Sequence, residues 1–248
     1  MIKILDCTTR DGGHTTNWDF SDDFVADLIN CQNKSNIDFF EIGYRNHIDN
    51  ENKGKFYKCN PDFLKYFYSI KRDIKLVVMT DAKRFSIKDF PARDEDYVDF
   101  IRIACHPDMI ERTLSFAKKL YNRGYGVFVQ LMEISNVDSS GYSILEQWKD
   151  KSILESLYIA DSYGVITPED VEKYFSSLKS IGYEKISFHG HNKTQMALNN
   201  TLKAIECGAY SVDVTLNGIG RSGGNLDASV LLEALKRPSE FYRILSVK

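Results

Sequence analysis

Two short strings, far apart in the chain, hold the residue types that could do chemistry: "CTTRDGGH" at 7–14 and "FHGH" at 188–191. His189 and His191 are two positions apart, so on a strand both side chains point to one face. Two neutral imidazoles can give nitrogen lone pairs to one divalent cation. Asp11 would add a negative oxygen, and Asn225, at the end of "NGIGRSGGN" (217–225), an amide oxygen. Such a mixed nitrogen–oxygen set suits Mn²⁺ or Mg²⁺ and is also compatible with Zn²⁺ or Co²⁺. For any one of these residues alone, a satisfied polar group at a strand end is the plainer reading.

Other polar groups could share the same place. Arg10 can hold a carboxylate with two hydrogen bonds or stabilise a developing enolate oxygen; a simple salt bridge is its alternative. His14 lies beyond a Gly12–Gly13 pair that reads as a hinge, and it could move a proton to or from a substrate hydroxyl. In "YIADSYG" (158–164), Ser162 could donate a hydrogen bond to a substrate carboxylate, while Asp161 could orient a ligand or satisfy the next loop. Glu41 in "FFEIG" and Arg102 in "FIRIAC" interrupt apolar strands. A buried charge is costly unless paired, so mutual pairing is the expectation. The glycines of 217–225 could bare N–H groups to an anion or merely connect two elements; they match neither nucleotide-binding fingerprint.

These residues need a scaffold that gathers them. Strand-like runs fall at 2–7, 37–44, 74–80, 97–105, 125–133, 153–161, 185–191 and 210–216. Helical periodicity fills most intervals: around 21–34 and 61–70, then 107–124, around 140–150, 168–182, 194–208 and 225–236. Pro107 can open its helix and Gly124 can close it. Strands alternating with helices predict an α/β fold with a parallel sheet. Eight such units closing on themselves would form a single (β/α)8 TIM barrel over residues 1–248, with no evident additional C-terminal domain; an open doubly wound sheet fits the same periodicity. In a barrel, the loops after the strands converge on one end, which would bring the scattered polar groups together. The polar stretch 46–60 could cover that mouth.

Composition narrows the classes. Apolar residues make up 43% and the formal charge is −3, which argues against a generally basic nucleic-acid binder. The N-terminus lacks a signal-peptide core, and no segment resembles a membrane span. The five cysteines, Cys7, Cys31, Cys59, Cys105 and Cys207, are scattered. They suggest packing in a reducing, cytoplasmic setting, with Cys7 nearest the polar turn.

In their order, "LDCTTRDGGH", "IADSYGVITP", "FHGHN" and "NGIGRSGGN" resemble the first-, sixth-, seventh- and eighth-strand segments of the DRE-TIM metallolyases. These are HMG-CoA lyase-like barrels, and the similarity is greatest to their 4-hydroxy-2-oxovalerate aldolase-type pyruvate aldolases. The resemblance runs from residue 5 to about residue 235. It implies a divalent-metal lyase that cleaves or forms a 4-hydroxy-2-oxoacid through a pyruvate enolate. Asp11, His189 and His191 would hold the metal, with Asn225 as a fourth or near ligand. Arg10 would stabilise the enolate, His14 would be the general acid–base and Ser162 would contact the pyruvate carboxylate. The implied partners are small 2-oxoacid and aldehyde substrates, together with a homo-oligomer or a separate partner subunit, but no nucleic acid or membrane. "NGIGRSGGN" resembles the 2-isopropylmalate and homocitrate synthase branch equally, so acyl-CoA condensation is the alternative, and a non-catalytic binding barrel is another.

Overall fold

A computed structural model describes residues 1–46 and 52–245. The eight strand runs become β1 (Lys3–Asp6), β2 (Phe39–Tyr44), β3 (Lys75–Asp81), β4 (Phe100–Cys105), β5 (Gly126–Leu131), β6 (Leu154–Asp161), β7 (Ile186–Gly190) and β8 (Ser211–Val214). Each pairs in parallel with the next, and β8 pairs with β1, closing the barrel. The helices are α1 (Thr8–Asp11), α2 (Gly13–Thr16), α3 (Asp22–Lys34), α4 (Pro61–Ile70), α5 (Ile110–Tyr121), α6 (Ser139–Gln147), α7 (Pro168–Ser180), α8 (Ala197–Glu206), α9 (Ala228–Ala234) and α10 (Glu240–Ile244). No helix among the described residues is long and apolar enough to cross a membrane.

Local chemistry explains the helix starts. Ser21, Asn60, Asp138 and Asp227 each accept a backbone N–H at the head of α3, α4, α6 and α9. Thr167 and Asp170 form a capping box on α7, with Pro168 as its first residue. Pro107 opens a 3₁₀ turn, Pro107–Met109, and the α-helix proper starts three residues later than expected. Gly124 adopts φ +88, a conformation open to glycine, and turns the chain out of α5 toward β5.

Alternation along the strands sorts the core into two compartments. Ile4, Phe40, Val78, Ile101, Val129, Ile159, Phe188 and Val212 pack outward under the helices. Leu5, Phe39, Val77, Phe128 and Tyr158, with Phe100, plug the barrel interior. The Phe100 and Phe128 rings stack at 5.1 Å, and Phe39 meets both edge-on. Nearer the strands' C-terminal ends the interior residues become small or flexible: Met79, Ala104, Met132 and Ala160. That change from rings to smaller or flexible side chains leaves room inside the C-terminal mouth of the barrel.

Asp6 anchors the first strand from outside. Its carboxylate accepts from Thr8 N, Gln32 Nε2 and Tyr242 Oη, tying β1 to α3 and α10. Burial raises its pKa against the pull of those hydrogen bonds. Of the 46–60 stretch read as a mouth cover, residues 47–51 lie outside the described residues.

Candidate metal centre

The opening octapeptide is wound into two successive helical turns, α1 and α2, directly above β1. Gly12 and Gly13 do not form the expected hinge. Both have ordinary helical backbone, and the need for glycine is steric. A Cβ on Gly12 would lie 2.4 Å from Thr8 O, and one on Gly13 would lie 2.2 Å from the Trp18 ring. The tight packing holds Arg10, Asp11 and His14 over the barrel's open end. Trp18 Nε1 adds a hydrogen bond to Arg10 O at 2.9 Å.

β7 brings the two histidines to the same place. His189 and His191 point inward, buried, with ring centroids 4.9 Å apart. The ligand atoms of Asp11, His189 and His191 all lie within 4.8 Å of one another. Asp11 Oδ2 is 3.2 Å from His191 Nε2 and 3.7 Å from His189 Nε2. Donors bonded at roughly 2.0–2.2 Å to one ion sit about 3.0–3.4 Å apart, so this spacing fits a shared cation with little adjustment.

Protonation makes the fit stronger. His191 Nδ1 lies 2.8 Å from the Asp161 carbonyl, which can only accept. With the Nδ1 proton so engaged, the Nε2 of a neutral ring, 3.2 Å from Asp11 Oδ2, would be the atom offered to an ion. Burial lowers the His189 pKa to about 4 despite the opposing pull of Asp213, so its ring is neutral at ordinary pH. Its Nδ1 donates to Asp213 Oδ2 at 2.8 Å, leaving Nε2 as a lone pair. Burial alone would raise the Asp11 pKa, but the opposing charge of Arg10 leads the pull that holds the carboxyl well below the usual range. Among the described residues, Asp11 Oδ1, His189 Nε2 and Asn225 Oδ1 are buried without a hydrogen-bond partner. Of these, Asp11 Oδ1 is ion-paired with Arg10, and acceptors such as His189 Nε2 and Asn225 Oδ1 are costly to bury unpaired. A divalent cation is the species this donor set satisfies.

Asn225 arrives from the loop after β8. Its Nδ2 donates to Asp11 Oδ2 at 2.7 Å and to Ile219 O at 3.0 Å, and its Oδ1 is the atom left for an ion. Part of the glycine-rich loop turns its N–H groups inward: Gly218, Gly224 and Asn225 donate to the carbonyls of Thr215, Arg221 and Gly218. Gly220 is needed for closeness, since a Cβ there would lie 2.0 Å from Asn225 Nδ2.

The remaining expected residues fall into place unevenly. Arg10 is fully buried; its Nε donates to Glu41 at 2.5 Å, and Nη1 stands 3.1 Å from Asp11 Oδ1. His14 Nε2 is 3.8 Å from Asp11 Oδ1. Burial, reinforced by Arg221, Arg10 and Lys53 against the pull of Asp11, lowers its pKa to about 4. Ser162 stands past the end of β6, but its Oγ accepts from Glu133 N at 2.8 Å, and no contact joins it to the ligand cluster. Asp161 serves its loop, accepting from Val165 and Ile166. Cys7 donates to Val214 O, and burial pushes its thiol well up, as a packing role requires. Glu41 and Arg102 pair as expected, through two hydrogen bonds of 2.7 and 2.6 Å.

Sequence reasoning passed over Asp213, which accepts from both His189 and Arg102. His106, whose string "CHPD" (105–108) does not by adjacency alone make a catalytic group, and Arg221 line the cavity beside the cluster with His14. A signal for Asp213 was present: like Glu41 and Arg102, it is a charge inside an apolar strand.

A closed (β/α)8 barrel with a buried Asp–His–His cluster at the C-terminal ends of its strands defines a metal-site barrel of enzyme type. Residues 1–241 match the HMGL-like family model, and the chain belongs to that family. It is 28% identical over 237 residues to a Mycobacterium tuberculosis protein named oxaloacetate decarboxylase, spanning 94% of this chain and 70% of that one. It is 27% identical over 258 residues to a 4-hydroxy-2-oxovalerate aldolase of Carboxydothermus hydrogenoformans, spanning 99% and 75%. The crystal structure of the N-terminal domain of a candidate aldolase from Bacteroides vulgatus superposes with TM-score 0.86 at 32% identity, over 100% of this chain and 82% of that one. HMG-CoA lyase from Brucella melitensis shares the fold, with TM-score 0.73 at 17% identity over 98% and 95%. Site and family together support a metal-dependent carbon–carbon lyase of this broad class.

Proposed function

We propose that the protein is a metal-dependent aldolase that cleaves or forms a 4-hydroxy-2-oxoacid through a pyruvate enolate. The observation that carries the reading is the pairing of a lone-pair-bearing ligand cluster with a neutral histidine beside it, His14. Mn²⁺ or Mg²⁺, held by Asp11, His189 and His191 with Asn225 Oδ1 nearby, would supply the positive charge that favours an enolate. Arg10 presents its Nη2, which has no hydrogen-bond partner among the described residues, to the developing enolate oxygen. Ser162 keeps its hydroxyl proton for the substrate carboxylate while accepting from Glu133.

In cleavage, His14 removes the proton of the 4-hydroxyl. The C3–C4 electron pair passes to the 2-oxoacid fragment as its enolate, and the aldehyde leaves. Protonation at C3 then gives pyruvate. An imidazole that is neutral at ordinary pH is in the correct form to begin this sequence.

A decarboxylase reading has one observation in its favour, the similarity to the protein named oxaloacetate decarboxylase. Loss of carbon dioxide from C4 would leave the same enolate, but it requires no base for a hydroxyl. A retro-aldol screen with added Mn²⁺ or Mg²⁺, coupled to pyruvate detection, tests the proposal. His14→Ala should lower aldol cleavage by roughly 10²–10⁴-fold while Mn²⁺ still binds. His191→Ala should weaken Mn²⁺ binding and turnover together. Turnover of oxaloacetate but of no 4-hydroxy-2-oxoacid, insensitive to His14→Ala, would replace the aldolase with the decarboxylase.

A further inference from the structure

We infer that the aldehyde carries an anionic group, a carboxylate or a phosphate, and that Arg84, with Lys53 and Arg221, binds it. The inference rests on the aldolase reading and adds the class of its second substrate. A cavity of about 340 Å³ opens beside the ligand cluster, with His14 and Arg221 in its lining. Both residues come within 3.8 Å of Asp11 Oδ1. The cavity also reaches Asp81 and Arg84, which belong to the C-terminal end of β3 and the turn after it. In a ring of eight strands, β3 stands opposite β7, which carries both histidines. A substrate gripped at the metal centre therefore extends across the mouth toward Arg84.

The charge along that path is one-sided. Among the described lining residues there are three permanent cations, Lys53, Arg84 and Arg221, and one carboxylate, Asp81. Asp81 is already engaged: it accepts from Lys83 N at 2.7 Å and faces His106 Nε2 at 3.6 Å. Arg84 pairs with no carboxylate among the described residues. Its Nη1 donates to the Tyr57 hydroxyl at 2.5 Å, which orients the guanidinium; Asp81 feels its charge from a distance without pairing with it. Tyr57 in turn packs against Trp18 at 4.9 Å and Tyr44 at 5.8 Å. Lys53 lies 4.8 Å over the Trp18 ring and donates to Asn17 Oδ1 at 2.9 Å. Arg221 Nε is buried without a hydrogen-bond partner among the described residues. A short neutral aldehyde would leave these donors facing water. An anion at the far end of a longer aldehyde would be met by fixed, charge-assisted donors.

The test is aldol addition of pyruvate, with Mn²⁺, to matched aldehydes. Glyceraldehyde 3-phosphate is compared with glyceraldehyde, and succinic semialdehyde with butanal; the preferred pair distinguishes phosphate from carboxylate. In at least one pair the charged member should have kcat/KM about 30-fold higher, or about 2 kcal/mol at 1.4 kcal/mol per tenfold. Arg84→Met should shrink that preference below about threefold, mainly through KM. Arg84 is exposed, so its replacement leaves the core packed. A separate measurement on the unaltered protein, Mn²⁺-dependent exchange of pyruvate C3 protons with D₂O, reports enolate chemistry without any aldehyde. Exchange with no preference for charged aldehydes, or a preference that survives Arg84→Met, overturns the anion assignment and leaves the aldolase. Absence of both exchange and turnover overturns the aldolase and the anion assignment together.

Discussion

His189 and Asp213 face each other across neighbouring strands with Nδ1 and Oδ2 2.8 Å apart. Burial would raise the Asp213 pKa, but Arg102 and His189 outweigh it and keep the carboxyl ionised, so the shared proton sits on the imidazole. That bond aims the opposite nitrogen at Asp11. Asp213→Asn retains an accepting oxygen but loses the charge that fixes tautomer and ring orientation. Mn²⁺ affinity should fall by roughly 10–100-fold, measured by electron paramagnetic resonance titration. An unchanged affinity would show that barrel packing alone orients His189.

The barrel was legible because its signals are local and repeated: runs of β-branched and aromatic residues, with capped helices between them. Six of the seven site candidates come together because HxH on a strand and Asp11 after β1 can meet at one end of a barrel. Ser162 stands apart: past the end of β6 it accepts from Glu133 N, and no hydrogen bond ties it to the ligand cluster. The Gly12–Gly13 reading failed for a related reason. Whether glycine is present for freedom or for closeness depends on what lies against it, here Thr8 and Trp18, and sequence spacing does not show that. Asp213 was passed over because its neighbours, unlike those of the histidines, match no ligand pattern. The cations of the mouth come from three separate loops, and only the closed ring gathers them.

Glu41 holds the buried charges together. It accepts from Arg10 Nε and from Arg102 Nε and Nη2, and Arg102 Nη1 continues to Asp213 at 2.7 Å. A row of alternating charge thus runs Asp11, Arg10, Glu41, Arg102, Asp213 and ends on His189. Glu41→Gln would leave two fully buried guanidinium groups with one fewer counter-charge. Unfolding free energy should fall by about 3–5 kcal/mol in urea titrations. The double change Glu41→Gln with Arg102→Met should cost less than the sum of the two single changes. Strict additivity would mean that the row is not energetically coupled.

Gly13→Ala tests the close approach of α2 to Trp18. The added methyl would stand 2.2 Å from the indole, which is 3% exposed. The ring must move, breaking its hydrogen bond to Arg10 O. Stability should drop by about 1–3 kcal/mol, the usual cost of overpacking. The chain has two tryptophans, so a Trp148→Phe background isolates the emission of Trp18. That emission should shift to the red in Gly13→Ala. An unshifted spectrum would mean that the turn accommodates a methyl group without displacing the ring.

At the opposite end of the barrel, Asp99 gives a pH dependence that is independent of the metal centre. Its carboxylate accepts from Leu76 N at 2.9 Å and from Arg93 Nη2 at 2.7 Å, and Lys71 Nζ stands 3.1 Å away. Burial raises its pKa, but the Leu76 hydrogen bond, Lys71 and Arg93 together outweigh this and leave it lowered. A carboxyl with a lowered folded-state pKa adds stability above its unfolded value, about 3.9. That contribution fades as pH falls through the folded value. The protein should therefore be more stable than Asp99→Asn at pH 7, and the gap should narrow steadily below about pH 4. Urea unfolding of both proteins from pH 7 down to pH 3 measures it. A gap that stays constant across that range would mean that the Asp99 cluster stabilises the fold by shape and hydrogen bonding, with no contribution from its charge.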